Sequence, residues 1–200
     1  MRRHPILALC VLAYIGWGAW QWLAGRPVHP PDGVLAPSEP QQVDVTAHTK
    51  RQVSRWTLTA QAHYQVTARV LAVERYRFDA LAALIPEDLA LGWGPMSDNG
   101  VLRSVEISQS NRFYYWHASP NSPISRAEII EHSANTHVIP DDPLIAAQLS
   151  DLRRGQVVTL DGDLVDAVRD DGRWIKTSLV RTDTGAGSCE VMLVKHVTVR

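Results

Sequence analysis

Cysteine is scarce in this sequence, which contains only Cys10 and Cys189 among 200 residues. A disulfide framework of the kind that stabilises small secreted domains is therefore excluded. An excess of charge of one sign is also missing, because 20 basic residues balance 21 acidic ones and the formal net charge is -1. The chain lacks the basic field that nucleic-acid binding requires, so we expect no nucleic-acid partner.

The short motifs of common enzyme classes are absent as well. The sequence has no G-x-S-x-G elbow, phosphate-binding loop, dinucleotide fingerprint or CxxC pair. Its composition, 45% apolar and 20% charged, is that of an ordinary globular chain. We therefore expect a packed domain without a cofactor.

The beginning of the chain differs from this average, because Pro5 to Gly25 contains no charged residue. A helix of that length covers the roughly 30 Å thickness of a bilayer core. Arg2 and Arg3 precede the segment and only Arg26 follows closely, so the positive-inside rule places the N-terminus in the cytoplasm. The sequence predicts a single-pass protein of the bacterial inner membrane with a periplasmic C-terminal domain.

Two other fates of this segment stay open. Cleavage as a signal peptide after Ala24 would put the bulky Trp22 at the -3 position, which disfavours it. Lipidation at Cys10 is disfavoured because Leu9 is too large and because the apolar stretch follows the cysteine. An uncleaved anchor is the favoured interpretation.

The rest of the chain divides into two parts. Residues 26–55 are rich in proline, which favours extended backbone, and we expect a stalk there. Residues 56–200 form the predicted extracytoplasmic domain. Its fold class is predicted to be α+β, a small, strongly curved β-sheet or OB-like barrel with one or two helices.

Local patterns predict the first elements of this domain. From Trp56 to Ala72 apolar residues alternate with mostly polar ones, which indicates a strand so long that it needs a bend or bulge. Asp79–Leu84 is predicted as a short helix that Pro86 stops, with another helical turn running from there to Leu91. Val101–His117 has the composition of β-structure.

The C-terminal half has clearer signals. Asp141 or Asp142 can cap a helix over Pro143–Arg154, and Gly155 suits the position after its end. Three strands are expected after that helix: Gln156–Val168, Arg173–Arg181 and Cys189–Val199. Asp171-Gly172 forms the first turn, and Gly162 marks a bulge or a barrel corner.

Two resemblances follow from these residues. The helix leading into Gly155–Val165 and the hairpin after it resemble the second half of an OB-type barrel. Ala90–Asp98, His132–Pro140 and Ser178–Gly185 together resemble a family of uncharacterised bacterial single-pass membrane proteins. This second resemblance implies one intact domain from about Trp56 and carries no activity.

His132 and His137 are the first candidates for chemistry, with His117 and Asp98 as possible partners. Imidazole and carboxylate groups can bind a metal or act as general acid and base when they converge. The spacing of the two histidines matches neither the helical histidine pair of zinc proteases nor the CxxC pattern of a zinc knuckle. Two histidines that make ordinary hydrogen bonds are therefore the plainer interpretation.

Three further features have plain interpretations beside chemical ones. Asp183-Thr184-Gly185 matches the aspartic-protease tripeptide, but one copy without apolar residues before it favours a turn. The acidic run from Asp161 to Asp171 could bind a cation weakly, but a solvated strand edge is the plainer interpretation. Cys189 is expected to pack as a small hydrophobe, with pairing between chains as the alternative.

The sequence favours a non-enzymatic interaction or scaffold module of the cell envelope, with a protein partner. An anchor, a short spacer and a domain without a recognisable catalytic set motivate this expectation. The alternative is an envelope hydrolase or metal-dependent enzyme that uses His132 and His137, with Asp98 as a third candidate. The oligomeric state stays open.

Overall fold

The structure is a computed structural model that describes residues 25–200 together with Cys10, Val11, Tyr14 and Gly16. None of the helices in this part of the chain combines the length and apolar character needed to cross a bilayer. The expected membrane span from Pro5 to Gly25 lies almost wholly outside the described residues.

The described residues form mostly β-structure with a few short helices, which confirms the expected fold class in its coarse form. The strands are β1 Gln41–Asp44, β2 Lys50–Val53, β3 Trp56–Arg75, β4 Glu87–Gly92, β5 Val105–Ser110, β6 Phe113–Ala118, β7 Ser133–Pro140, β8 Val157–Arg169, β9 Trp174–Ile175 and β10 Glu190–Val199. The α-helices are α1 Asn99–Leu102, α2 Arg126–Glu131 and α3 Pro143–Ser150, and a 3-10 helix covers Gly94–Ser97.

Five of these strands pair in a closed circuit, which we call the strand ring. β3 pairs with β4, β4 with β7, β7 with β10, β10 with β8, and β8 with β3 again. The β7–β10 pair is parallel and the others are antiparallel. β5 and β6 form a separate hairpin between β4 and β7 in sequence.

β3 makes this closure possible because it is long enough to serve two neighbours. Residues 56–69 pair with β8, and residues 69–75 pair with β4. The predicted alternation is confirmed, since Leu58, Tyr64 and Val66 are buried between more exposed neighbours. The expected irregularities are confirmed as two shifts in register, one in each half of the strand.

The prediction was wrong for the segment after β3. Asp79–Leu84 is a series of turns, and the expected helical turn from Pro86 to Leu91 is the strand β4. All six residues of β4 are buried, so the strand lacks the alternation that identifies a half-exposed one. The acidic pair after a proline resembles the start of a helix instead.

The C-terminal elements agree better with the sequence. Asp142 caps α3 as predicted, although the helix ends at Ser150. The strands predicted at Gln156–Val168 and Cys189–Val199 are confirmed as β8 and β10. The strand predicted at Arg173–Arg181 shrinks to the two residues of β9.

Residues 28–44 differ from the expected stalk, because they pack on the ring. The Val28 backbone N–H donates to the Arg154 carbonyl at 2.8 Å. Ala36 is completely buried and its N–H donates to Ser97 Oγ. β1 then pairs with the middle of β3. A segment with this many contacts belongs to the surface of the domain.

Gly162 provides a test of ring closure. A Cβ atom there would lie 2.0 Å from the Leu193 carbonyl oxygen of β10, so we expect Gly162→Ala to lower the free energy of unfolding by about 3 kcal/mol. Gly172→Ala is the control, because that glycine has a positive φ but open space around it, and its cost should be about 1 kcal/mol. Urea unfolding followed by tryptophan fluorescence measures both. Equal losses of unfolding free energy in the two variants would contradict a close contact between β8 and β10 at Gly162.

Candidate functional site

A cleft of about 220 Å³ opens between the β5–β6 hairpin, β7 and the β9–β10 loop, residues 176–189. Residues 113–116 of β6 and 133–135 of β7 line it, together with residues between Arg181 and Glu190. Three parts of the chain that are distant in sequence therefore meet at one surface.

β7 separates the inside of the ring from the cleft side. Successive residues of a strand point to opposite faces. Val138 belongs to the core inside the ring, and Ala134 packs against it. Asn135 and His137 lie on the other face, where Asn135 Oδ1 accepts a hydrogen bond from Gln109 of the hairpin at 2.7 Å. The outward face of β7 is thus polar but covered.

Asp88 is the centre of this covered polar layer. Its side chain is completely buried, and it lies opposite His137 in the β4–β7 pairing. His137 Nδ1 lies 2.7 Å from Asp88 Oδ1, and the Tyr76 hydroxyl donates to Oδ2 at 2.9 Å. Arg112 Nη1 lies 3.5 Å from Oδ1. The buried carboxylate is therefore contacted by three different segments of the chain.

Arg112 brings the hairpin to this carboxylate. Asn111 and Arg112 both have positive φ, 55° and 67°, as the central residues of a two-residue type I′ turn require. The Arg112 guanidinium donates to Asp79 and to the Ile85 carbonyl, and it stacks 3.9 Å from the centroid of the Tyr76 ring. These contacts fix the tip of the hairpin on the ring.

Cys189 completes the arrangement at the edge of the cleft. Its side chain is half-buried, so the expected full packing is not what the structure has. Asn135 Nδ2 lies 3.5 Å from its Sγ, and the thiol also interacts electrostatically with the His137 side chain. Because Asp88 occupies Nδ1 of His137, Nε2 is the nitrogen left for the thiol. The imidazole of His137 thus lies between the carboxylate of Asp88 and the thiol of Cys189.

Two buried groups at the site have pKa values above their usual ones. Burial by itself lowers the pKa of His137, but the interactions with Asp88 and Cys189 outweigh it, and the pKa rises to about 9. Burial raises the pKa of Glu190 to about 8, with a further increase from nearby Asp183. Glu190 Oε2 has no hydrogen-bond partner among the described residues. At neutral pH the site thus holds an imidazolium and a neutral carboxyl.

The other histidines proposed from the sequence lie elsewhere. His132 Nδ1 is 2.8 Å from the Glu128 carbonyl oxygen, and its Nε2 is 3.4 Å from Glu39. His117 is exposed on β6, opposite Glu106 of β5. Neither contacts His137.

Asp98 has a structural role as a helix cap. Its carboxylate accepts hydrogen bonds from the backbone N–H groups of Gly33 and Gly100. The structure therefore does not bring Asp98 to the candidate histidines. Over residues 25–200 and the four described before them, no group of three His, Cys, Asp or Glu side chains is arranged to hold a metal.

The two acidic motifs have local partners. Asp183 accepts a hydrogen bond from Ser178 Oγ at 2.7 Å within the β9–β10 loop, as expected for a turn. Each carboxylate of the acidic run has a partner: Asp161 with Gln65, Asp163 with Lys195, Asp166 with Thr177, Asp170 with Arg55 and Asp171 with Arg169.

The sequence pointed to His137 but not to Asp88 or Cys189, the groups beside it. The residues around Asp88 resemble a helical turn, and Cys189 resembles a packed core residue. A signal did exist, because a buried apolar strand that begins with two carboxylates has to pair them. Recognising Glu87–Gly92 as a strand would have exposed it.

Comparison with known proteins finds no family model, no curated protein and no solved structure that matches the chain. Function is therefore argued from the geometry of the cleft.

The raised pKa values of His137 and Glu190 predict how the stability of the fold depends on pH. A group whose pKa is higher in the folded than in the unfolded chain stabilises the fold when the pH lies below its unfolded pKa. That contribution is lost as the pH rises through its folded pKa. For His137 the loss falls between about 6.5 and about 9, and for Glu190 between 4.5 and about 8. We expect the free energy of unfolding to fall by at least about 2 kcal/mol from pH 6 to pH 9.

Glu190→Gln separates the two contributions. The amide cannot ionise, so this variant should be more stable than the native chain at pH 9 and should lose part of the pH dependence. Glu106→Gln, which changes an exposed carboxyl, should leave the profile as it is. Denaturant unfolding at four pH values makes the comparison, and a native profile that is flat from pH 6 to 9 would refute it.

Proposed function

We propose that the chain is a membrane-anchored interaction module of the bacterial cell envelope, which binds a protein segment in the cleft. The anchor is the apolar stretch from Pro5 to Gly25, and the domain lies on the periplasmic side of the inner membrane. The observation that carries the binding proposal is the position of the cleft relative to the strand ring.

We further propose that the ring is an OB-type barrel. Around the ring the strands follow the order β3, β4, β7, β10 and β8. In sequence the third and the fifth of them are β7 and β10, which form the parallel pair, and α3 lies between the third and the fourth, β7 and β8. OB-type barrels bind ligands on the face of their second and third strands, beside the loop between strands four and five. In this chain those parts are β4, β7 and residues 170–189, and the last two border the cleft.

The wall formed by β6 suits an extended peptide. β6 pairs only with β5 in the part of the chain that the structure describes, so its other edge has free backbone groups. Phe113 and Tyr115 are 39% and 52% exposed, with ring centroids 6.4 Å apart. A peptide strand added to this edge would gain backbone hydrogen bonds and aromatic contacts. A protein partner fits this surface.

Charge around residue 25 supports the membrane proposal. Arg75, Arg77, Arg153 and Arg154 border a hollow at the point where the chain enters the domain, with Asp151 among them. A cluster of guanidinium groups beside the anchor would face the phosphate groups of the lipid surface. The contacts of residues 28–44 hold this side of the domain close to the bilayer.

Topology is tested by reporter fusions after Val34 and after Arg200. A reporter that works only outside the cytoplasm should be active at both positions, because the positive-inside rule exports everything after the anchor. A second reporter that works only in the cytoplasm should be inactive at both. Activity of the cytoplasmic reporter at either position would overturn the localisation.

Binding in the cleft is tested by site-specific photo-cross-linking in intact cells. A photoreactive residue in place of Tyr115 should give an adduct with another protein, because this ring borders the β6 edge. The same residue in place of Phe78, which is 97% exposed outside the cleft, is the matched control. Adducts at both positions, or at Phe78 alone, would contradict a specific cleft. Recovery of the uncross-linked chain alone under several growth conditions would count against any partner.

A further inference from the structure

The thiol of Cys189 stands in an arrangement that a binding module does not need. An imidazole that contacts a carboxylate through one nitrogen and a thiol through the other is the general device for activating a sulfur nucleophile. Here the three groups come from β4, β7 and the end of the β9–β10 loop. Cys189 borders the cleft, while His137 and Asp88 lie buried behind it.

We propose that Cys189 is the nucleophile of an acyl-transfer site, with His137 as its acid and base and Asp88 as a positioning residue. The substrate class is an ester or amide whose acyl part enters the cleft. This activity goes beyond the binding of a protein partner and does not depend on that partner.

The proposed acyl transfer and hydrolysis balance without a cofactor. The Cys189 proton is held on His137 Nε2 as an imidazolium, and the thiolate Sγ attacks the carbonyl carbon to form a C–S bond. The carbonyl C–O or C–N bond breaks, and the leaving alcohol or amine takes the proton from His137. Water then attacks the thioester, gives one proton to His137 and releases the carboxylic acid, and the proton returns to sulfur. The sum is substrate plus water giving acid plus alcohol or amine.

Two neighbouring groups fit this chemistry. Asn135 Nδ2 lies beside Sγ, and its other N–H donates to the Arg112 carbonyl at 3.3 Å, which fixes the amide in place. A fixed N–H at the nucleophile can stabilise the oxyanion that forms during attack. Glu190, 96% buried with Oε2 unpartnered among the described residues, borders the same cleft and offers a polar contact to the substrate.

The electrostatic surroundings of His137 favour its charged form. Asp88 faces it from β4, Cys189 from the end of the β9–β10 loop and Glu190 from the start of β10. The Tyr76 hydroxyl and Arg112 share Asp88 with it. An imidazolium held in this way can pair with a thiolate, which is the nucleophilic form of sulfur.

The first test is the rate at which iodoacetamide alkylates Cys189 between pH 4 and 10, in the full chain carrying Cys10→Ser. We expect a plateau of reactivity that persists at pH 6. There, His137→Gln should lower the rate by roughly 10-fold or more. Asp88→Asn should shift the profile toward higher pH. His117→Gln, which changes an exposed histidine outside the cleft, should leave the profile unchanged.

The second test is acyl transfer from p-nitrophenyl acetate. The native chain should release nitrophenolate in a burst and carry one acetyl group on Cys189, which mass spectrometry locates. Cys189→Ser should abolish both signals, and thermal unfolding verifies that this conservative variant is folded. Because binding is independent of the thiol, Cys189→Ser should keep the photo-cross-link at Tyr115.

Three results would overturn the assignment. One is a thiol that titrates in a single step and reacts like free cysteine. Another is a reactive thiol that never carries an acetyl group. The third is a folded His137→Gln variant with the native alkylation profile, which would show that the imidazole does not activate the sulfur.

Discussion

One buried carboxylate joins the strand ring, the β5–β6 hairpin and the chain between β3 and β4. Asp88 has no exposed surface, and a charge in that position is stable only when it is paired and hydrogen-bonded. Its partners come from the β3–β4 connection, the hairpin tip and β7. If the hairpin moved away, the loss of Arg112 would leave an incompletely paired charge in this buried polar layer. The position of the hairpin, and hence the shape of the cleft, is therefore fixed by electrostatics as much as by packing.

The segment before β1 plays a comparable role at the other side of the ring. Gly155 has φ +95°, and a Cβ there would lie 1.8 Å from the Val28 carbonyl oxygen. Arg103 pairs with Asp32 in two hydrogen bonds of 2.7 and 2.9 Å. A proline-rich composition predicts extended backbone, but extended backbone can lie along a surface as well as away from it.

Local signals predicted elements and could not predict the site. The alternation in β3 and the cap of α3 are properties of neighbouring residues, so the sequence displays them. The pairing of Asp88 with His137 joins residues 49 positions apart, and it exists because of the register between β4 and β7. That register depends on tertiary closure of the ring, which no local pattern encodes. The sequence likewise could not show that His132, His117 and Asp98 have partners of their own away from His137.

The closure of the ring by β3 and β8 has a consequence for biogenesis. Residues that face each other along this seam are about a hundred positions apart, as with Gln65 and Asp161, whose separation is 96. Contacts of such long range are slow to form, because the entropy of the intervening chain is lost before they contribute. Until β8 arrives, a strand of twenty residues offers an unpaired edge to other nascent chains. Assembly of this protein should therefore compete with aggregation, and a tether that keeps copies apart during that interval would protect it.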